Sequence, residues 1–282
     1  MSKNFLSIYA KSFNWAGFFL PKKIYLNSSD LYDFCRTLDD IADQDIDLEV
    51  KKNNFKKYKN DFNNKNLTNP TIKKIYNLID DLKISHNVVL DLFDGIESDL
   101  KEKIRLNSNK ELLVYSYRVA GTVGLMMAKI LNVKSKNSFK SAIDLGIAMQ
   151  LTNISRDIVE DGKRNRIYIN PDFETIKKTL ELANKFYESS FKSIKEIPFR
   201  SRFAIIVSRR VYKEIGNKIL SKKNMENYNN SGKIYVSSFD KAYQTFLSIF
   251  DLINLLFVKS KEHSRNEEHN IISEEINLNE RI

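Results

Sequence analysis

The chain has 282 residues with 42% hydrophobic and 11% aromatic content, enough apolar material for one large domain or two small ones and too much for global disorder. Only 8 Gly and 4 Pro occur, well below the usual share of roughly 7% and 5%, which argues for long helices over a sandwich or barrel built on tight turns. The formal net charge of +10 permits anionic partners, but the lysines are spread along the chain instead of gathering with aromatics on one face, which speaks against nucleic acid.

The opening MSKNFLSIYAKSFNWAGFFLPKK does not read as a signal peptide, because Lys11, Ser12 and Asn14 interrupt its apolar runs. Ser-Ser-Asp at 28–30 reads as a cap before a helix over 29–43 carrying Leu31, Phe34, Cys35, Leu38 and Ile41. Cys35 is the single cysteine, which excludes an intrachain disulfide and suits a reducing, cytoplasmic setting. With three histidines besides, a Cys/His zinc site is nearly excluded. Phe55, Tyr58 and Phe62 recur at helical spacing in a Lys/Asn-rich segment over 51–68, a surface helix with one apolar stripe that Asn69-Pro70 ends. Further helices are expected near 85–101, 109–132, 136–161, 173–192, 199–221 and 238–258, punctuated by Pro171 and Pro198. No stretch is apolar enough to span a bilayer; AYQTFLSIFDLINLLFV reads as a buried helix or one touching a membrane surface. No repeat or Gly/Ser linker divides the chain, so residues 1–258 read as a single all-α domain and 259–282 as a charged, flexible tail.

Two segments concentrate carboxylates. CRTLDDIADQ places Asp39, Asp40 and Asp43 just after Arg36. QLTNISRDIVEDGKRNR places Asn153, Asp157 and Asp161 in one helical row, with Gln150 beside it and Arg156, Lys163, Arg164 and Arg166 nearby. Asp39 and Asp43 form an equivalent pair, and Asp40 lies off their row as a supporting residue. An acidic pair four residues apart is usually a solvated face, and Asp80-Asp81 is read as one such surface pair. Two rows set in apolar helices, each with arginine, are more specific. Their donors are all oxygens, which selects a hard cation, Mg²⁺ first, with Mn²⁺ as a substitute. Mg²⁺ takes one or two carboxylates together with phosphate oxygens, so paired rows suit a diphosphate whose departure the metal assists.

These segments resemble the head-to-head prenyl synthases, the phytoene, dehydrosqualene and squalene synthases. DDIAD looks like their first aspartate-rich motif and QLTNISRDIVED like their second. YSYRVAGTVG at 115–124 and AKSFNWAGFFLP at 10–21 match two further family segments in the same order. The resemblance implies an isoprenoid synthase helical bundle around a central hydrophobic cavity. Two prenyl diphosphates would join there through a cyclopropyl diphosphate, with phytoene as product and the first committed step of carotenoid biosynthesis as the role. It implies Mg²⁺ ligation by Asp39, Asp43, Asn153, Asp157 and Asp161. It places Lys11, Ser12, Tyr32, Arg36, Gln150, Arg156 and Tyr212 on the diphosphates. A carbocation needs a dry cavity and gains from π-faces; Phe13, Tyr32, Tyr115 and Tyr212 are the candidates. Phe13, Val119, Gly121, Val123 and Gly124 are the expected prenyl wall, the glycines either leaving room for a tail or allowing close helix contact.

Departures from the family pattern are Ser116 for cysteine, RIYIN after the second motif, and Lys233 where arginine is expected, which keeps charge for a diphosphate but loses the bidentate fork. Geranylgeranyl diphosphate is the favoured substrate. The alternative is a presqualene diphosphate, squalene or dehydrosqualene synthase using farnesyl diphosphate. Greasy substrates also suit peripheral membrane contact, for which the 242–258 helix is the candidate.

Overall fold

The computed structural model describes residues 11–258 and 263–282, with backbone alone for 11–13. The chain is helical almost throughout. In order come α1 (Lys11–Gly17), α2 (Lys22–Asp43), α3 (Leu48–Asn63), α4 (Pro70–Leu82), α5 (His86–Glu97) and α6 (Asn109–Ser116). A π turn over Tyr117–Gly121 leads into α7 (Thr122–Ile130) and α8 (Lys136–Lys163). Then follow α9 (Phe173–Phe191), a 3₁₀ turn over Lys192–Glu196, α10 (Phe199–Leu220), α11 (Met225–Asn230) and α12 (Ser238–Phe257). Two short helices, α13 (Asn266–Ser273) and α14 (Leu278–Arg281), end it. The strand character among the described residues is one two-residue parallel bridge, β1 (Ile104–Arg105) with β2 (Arg166–Ile167), in register Ile104↔Arg166.

Local chemistry sets most boundaries. Asn69 caps α4 by accepting from the amides of Thr71 and Ile72, with Pro70 in the first turn where its missing N–H costs nothing. Ser135 caps α8, and Ser237 with Asp240 forms a full capping box on α12. The expected cap at 28–30 is not one. Helix α2 begins seven residues earlier than foreseen, after Pro21, so Ser28 and Ser29 are buried in its interior and Ser28 Oγ donates to the carbonyl of Ile24 at 2.8 Å. The helix expected over 51–68 stops at Asn63, with Lys65 in the left-handed region at φ 51°.

Helix α8 is the axis of the molecule. Its 28 residues run about 42 Å at 1.5 Å per residue, packed against α7, the π turn, α9 and α10. A methyl added to Gly124 would collide with the carbonyl of Ala142, and one added to Gly146 with that of Ala120. Glycine is therefore required where α7 and the π turn meet the α8 backbone. The expected flexible tail is instead folded from 263 on. Ile272, Ile276 and Leu278 are buried in the common core, and Arg281 forks onto Asp91 at 2.9 and 3.1 Å. Aliphatic spacing within a charged segment supplied a docking face that a count of charges hides.

Candidate functional site

A cavity of about 340 Å³ lies between α2, α7, α8 and α10. Its polar end carries Tyr32, Asp39, Gln150, Asn153 and Tyr212. Its walls are Val119, Ala120, Val123, Gly124, Met127, Leu145 and Met149, and its far end is Leu131, Val133, Ser138, Ile194 and Ile197. From Asn153 to Ser138 along α8 is fifteen residues, about 22 Å of helix. Gln150, Gly146, Ala142 and Ser138 face the cavity from successive turns, because residues three and four apart share a helical face.

The two acid rows stand at the polar end of this cavity. Burial, followed by repulsion from Asp43, pushes the Asp39 carboxyl up to about 7. Burial, followed by repulsion from Asp157, does the same to Asp161. Asp99 adds repulsion to both, so it lies near both rows. Asp99 is a residue that motif reading missed. It is buried, and its two oxygens accept from the hydroxyls of Tyr115 and Tyr168, each at 2.8 Å. Burial raises its own carboxyl despite the opposing charge of Arg166.

The chain supplies its own counter-charges. Asp43 pairs with Arg164 at 2.7 Å and Arg166 at 2.9 Å, across from α2 to the end of α8. Arg156 grips the neighbouring Asp157 at 2.8 and 2.5 Å. Burial alone would raise Asp157, but that grip holds its carboxyl below the ordinary value. Lys233 lies 2.7 Å from Glu160 and 3.5 Å from Asp157. Arg36 binds Asp40 at 2.6 Å, so Asp40 anchors an arginine, in keeping with its off-row angle. Asp80 is exposed and meets Lys65 at 3.2 Å on the surface.

Not every expected residue reaches the cavity. Tyr115 stacks on Tyr168 with ring centroids 4.7 Å apart and turns its hydroxyl to Asp99, away from the cavity wall. The π turn that follows breaks the expected continuous helix over 109–132 and resets its register, so Val119 and Val123 face the cavity while Tyr115 does not. Gly121 is off the wall too, packed against Tyr117 and Ile143, and Gly124 both lines the cavity and makes the close helix contact. Asp161 borders a second, smaller cavity of about 280 Å³ with Arg105, Arg166 and Tyr168. The side chains of Lys11, Ser12 and Phe13 lie outside the described residues.

The donor set fits a hard divalent cation. Asn153 Oδ1 is buried with no hydrogen-bond partner, an orphaned oxygen at the junction of cavity and acid row. Beside it are carboxyls whose mutual repulsion a dication would relieve. The acid rows do not converge on a single point. Among the described residues, the one set of three His, Cys, Asp or Glu donors all within 4.8 Å is Asp144, His263 and His269. Asp144 sits nine residues before Asn153, about 13 Å along α8. Its oxygens take the Nε2 atoms of His263 at 2.8 Å and His269 at 2.7 Å, and Ser189 Oγ donates to one of them. Burial would raise this carboxyl, but the histidine hydrogen bonds hold it below its ordinary value. The cluster pins the C-terminal segment to α8, away from the cavity wall.

Comparison with known proteins bears on the family and the fold. A family model described as squalene/phytoene synthase matches residues 7–173. The phytoene synthase of Pseudescherichia vulneris is 32% identical over 157 residues, covering 48% of this chain and 50% of that one. The chloroplastic phytoene synthase 2 of Solanum lycopersicum is 33% identical over 175 residues, covering 52% and 55%. The chain spans about half the length of these two relatives. Among solved structures, a dehydrosqualene synthase in complex with ligand superposes with TM-score 0.74 at 25% identity, covering 89% of this chain and 94% of that one. A squalene synthase from Alicyclobacillus acidocaldarius shares the fold, with TM-score 0.64 at 17% identity over 79% and 91%.

Proposed function

Since the chain belongs to the squalene/phytoene synthase family, we propose that it is a Mg²⁺-dependent prenyltransferase joining two geranylgeranyl diphosphates, through a cyclopropyl diphosphate, to phytoene. The observation that carries this reading is one cavity with Asp39, Gln150, Asn153 and Tyr212 at one end and apolar walls running about 22 Å along α8. A diphosphate suits the charged end and a long isoprenoid tail the apolar remainder.

Asn153 Oδ1, with Asp39, Asp43, Asp157 and Asp161, would hold the metal, which when bound neutralises the diphosphate and makes it a better leaving group. Arg36, Arg156, Gln150 and Lys233 would orient diphosphate oxygens. For Arg156 this means exchanging its grip on Asp157 for the substrate. Tyr32 and Tyr212 border the cavity beneath the acid rows and offer π-faces to a developing allylic cation. The aliphatic wall keeps out the water that would quench such a cation. Tyr115, Tyr168 and Asp99 form a buried support under Arg166 and act through it.

The length of the cavity and the names of the relatives, phytoene synthases, favour the longer substrate. The likeness to a dehydrosqualene synthase favours a second reading, condensation of farnesyl diphosphate. Purified protein with Mg²⁺ and each diphosphate in turn, with and without NADPH, tests both. The proposal expects phytoene from geranylgeranyl diphosphate without NADPH. Product from farnesyl diphosphate alone would move the assignment to the second reading.

A further inference from the structure

Helix α12 presents most of its large apolar side chains outward. Its buried residues are polar Lys241, Gln244 and Ser248 together with Leu255. Polar contacts hold it in this rotation. Arg210 forks onto Asp251 at 2.6 and 2.8 Å, Gln244 Nε2 donates to Glu214 at 3.1 Å, and Trp15 Nε1 donates to Thr245 at 2.9 Å. The outward side carries Phe239, Tyr243, Phe246, Phe250, Ile253 and Phe257, the least exposed of them at 48%. Spacings alternating between four and three make one straight stripe, about 27 Å long over eighteen residues. A contiguous apolar stripe of this extent marks a surface that meets something apolar. Rolling the helix to bury it would break the Arg210, Gln244 and Trp15 contacts together. The segment read in sequence as a buried helix, or one touching a membrane, is therefore held with its apolar side outward.

Four observations indicate what covers it. The pairs Arg210–Asp251 and Lys218–Asp240 run α10 and α12 antiparallel, which brings the start of α10, with exposed Phe199, to the end of α12. Phe18 and Phe19 add to that end, because Phe19 meets Phe203 of α10 edge-on at 5.0 Å and both Phe18 and Phe19 are exposed. The apolar surface also borders the cavity, whose wall includes Gly17 and Leu20 on either side of those two phenylalanines. Exposed Lys22, Lys23 and Arg200 stand next to these aromatics in the chain, on a protein of net charge +10. Aromatic anchors with cations at the edge suit an anionic lipid interface. No helix among the described residues is long and apolar enough to cross a membrane, so the contact is superficial.

We propose that the outward face of α12, with Phe18, Phe19 and Phe199, docks on the headgroup–acyl boundary of an anionic bilayer. The choice of lipid over another protein rests on the prenyl reading of the cavity, since tails that partition into a bilayer would enter from the side where Phe18 and Phe19 lie.

The test is flotation of the full chain with vesicles of phosphatidylcholine containing a minority of phosphatidylglycerol, compared with the double variant Phe246→Glu/Phe250→Glu. The wild type is expected to float, less with pure phosphatidylcholine, and the double variant to bind at least ~10-fold more weakly. Both substituted side chains face solvent, so circular dichroism and turnover of detergent-dispersed substrate should be unchanged. Flotation is read without turnover, so a failed product assay leaves this readout standing. Equal flotation of the two proteins, or none by the wild type, would overturn the proposal. So would a sedimentation-equilibrium dimer that the double variant splits, which would make the face a contact between copies. Binding seen only after removal of residues 1–10 would equally overturn it, because the chain would then cover its own stripe.

Discussion

Replacing Asp39 with Asn should stabilise the metal-free protein at alkaline pH while stopping turnover. Burial and Asp43 raise the Asp39 carboxyl from 3.8 to about 7. In the unfolded chain this acid has already released its proton above pH 4, whereas the native state keeps it until about 7. Between those values the native state binds more protons, so stability falls as pH rises. From about pH 5 to about pH 8 the ceiling for this one group is about 3 kcal/mol, at roughly 1.4 kcal/mol per unit, and solvent reaching the half-buried side chain screens it to about 1–2 kcal/mol. Urea denaturation in EDTA at those two pH values measures the effect. The wild type should lose more stability than the Asn variant by roughly that amount, and millimolar Mg²⁺ should restore the wild type alone. Equal losses for the two proteins would refute the electrostatic description of the site.

Asp157→Ala should lower turnover at least ~100-fold in a product-release assay while leaving the helical circular dichroism intact, because a metal-and-diphosphate clamp loses one jaw. Asp80→Ala should be silent in the same assay within about twofold, since its counter-charge among the described residues is a surface lysine worth at most about 1 kcal/mol. Ser141→Phe should shorten the cavity at a wall position about 18 Å along α8 from Asn153; the expected outcome is a shift in the ratio of kcat/KM toward farnesyl over geranylgeranyl diphosphate, measured with both substrates.

The helices and both acid rows were legible in sequence because the period of 3.6 residues governs each locally. Asp39, Gln150, Asn153 and Tyr212 do meet at one cavity. What escaped depends on contacts distant in sequence. Asp99 lies outside any motif, and its meaning comes from Tyr115 and from Tyr168, 69 residues later. Asp144 carries no local signal in the sequence, because its histidine partners stand 119 and 125 residues away. The π turn at Tyr117–Gly121 has no periodic signature, so the orientation of Tyr115 was misread. For α12 the apolar run was visible, but which side its aromatics face is decided by Arg210, Glu214 and Trp15 on other helices.

A competition experiment tests the central claim most directly. Purified protein is given Mg²⁺ with geranylgeranyl and farnesyl diphosphates together, without NADPH, and the hydrocarbons released are identified by mass. The account predicts phytoene as the main product and none once EDTA removes the metal. Dehydrosqualene as the main product, or product formed undiminished in EDTA, would contradict it.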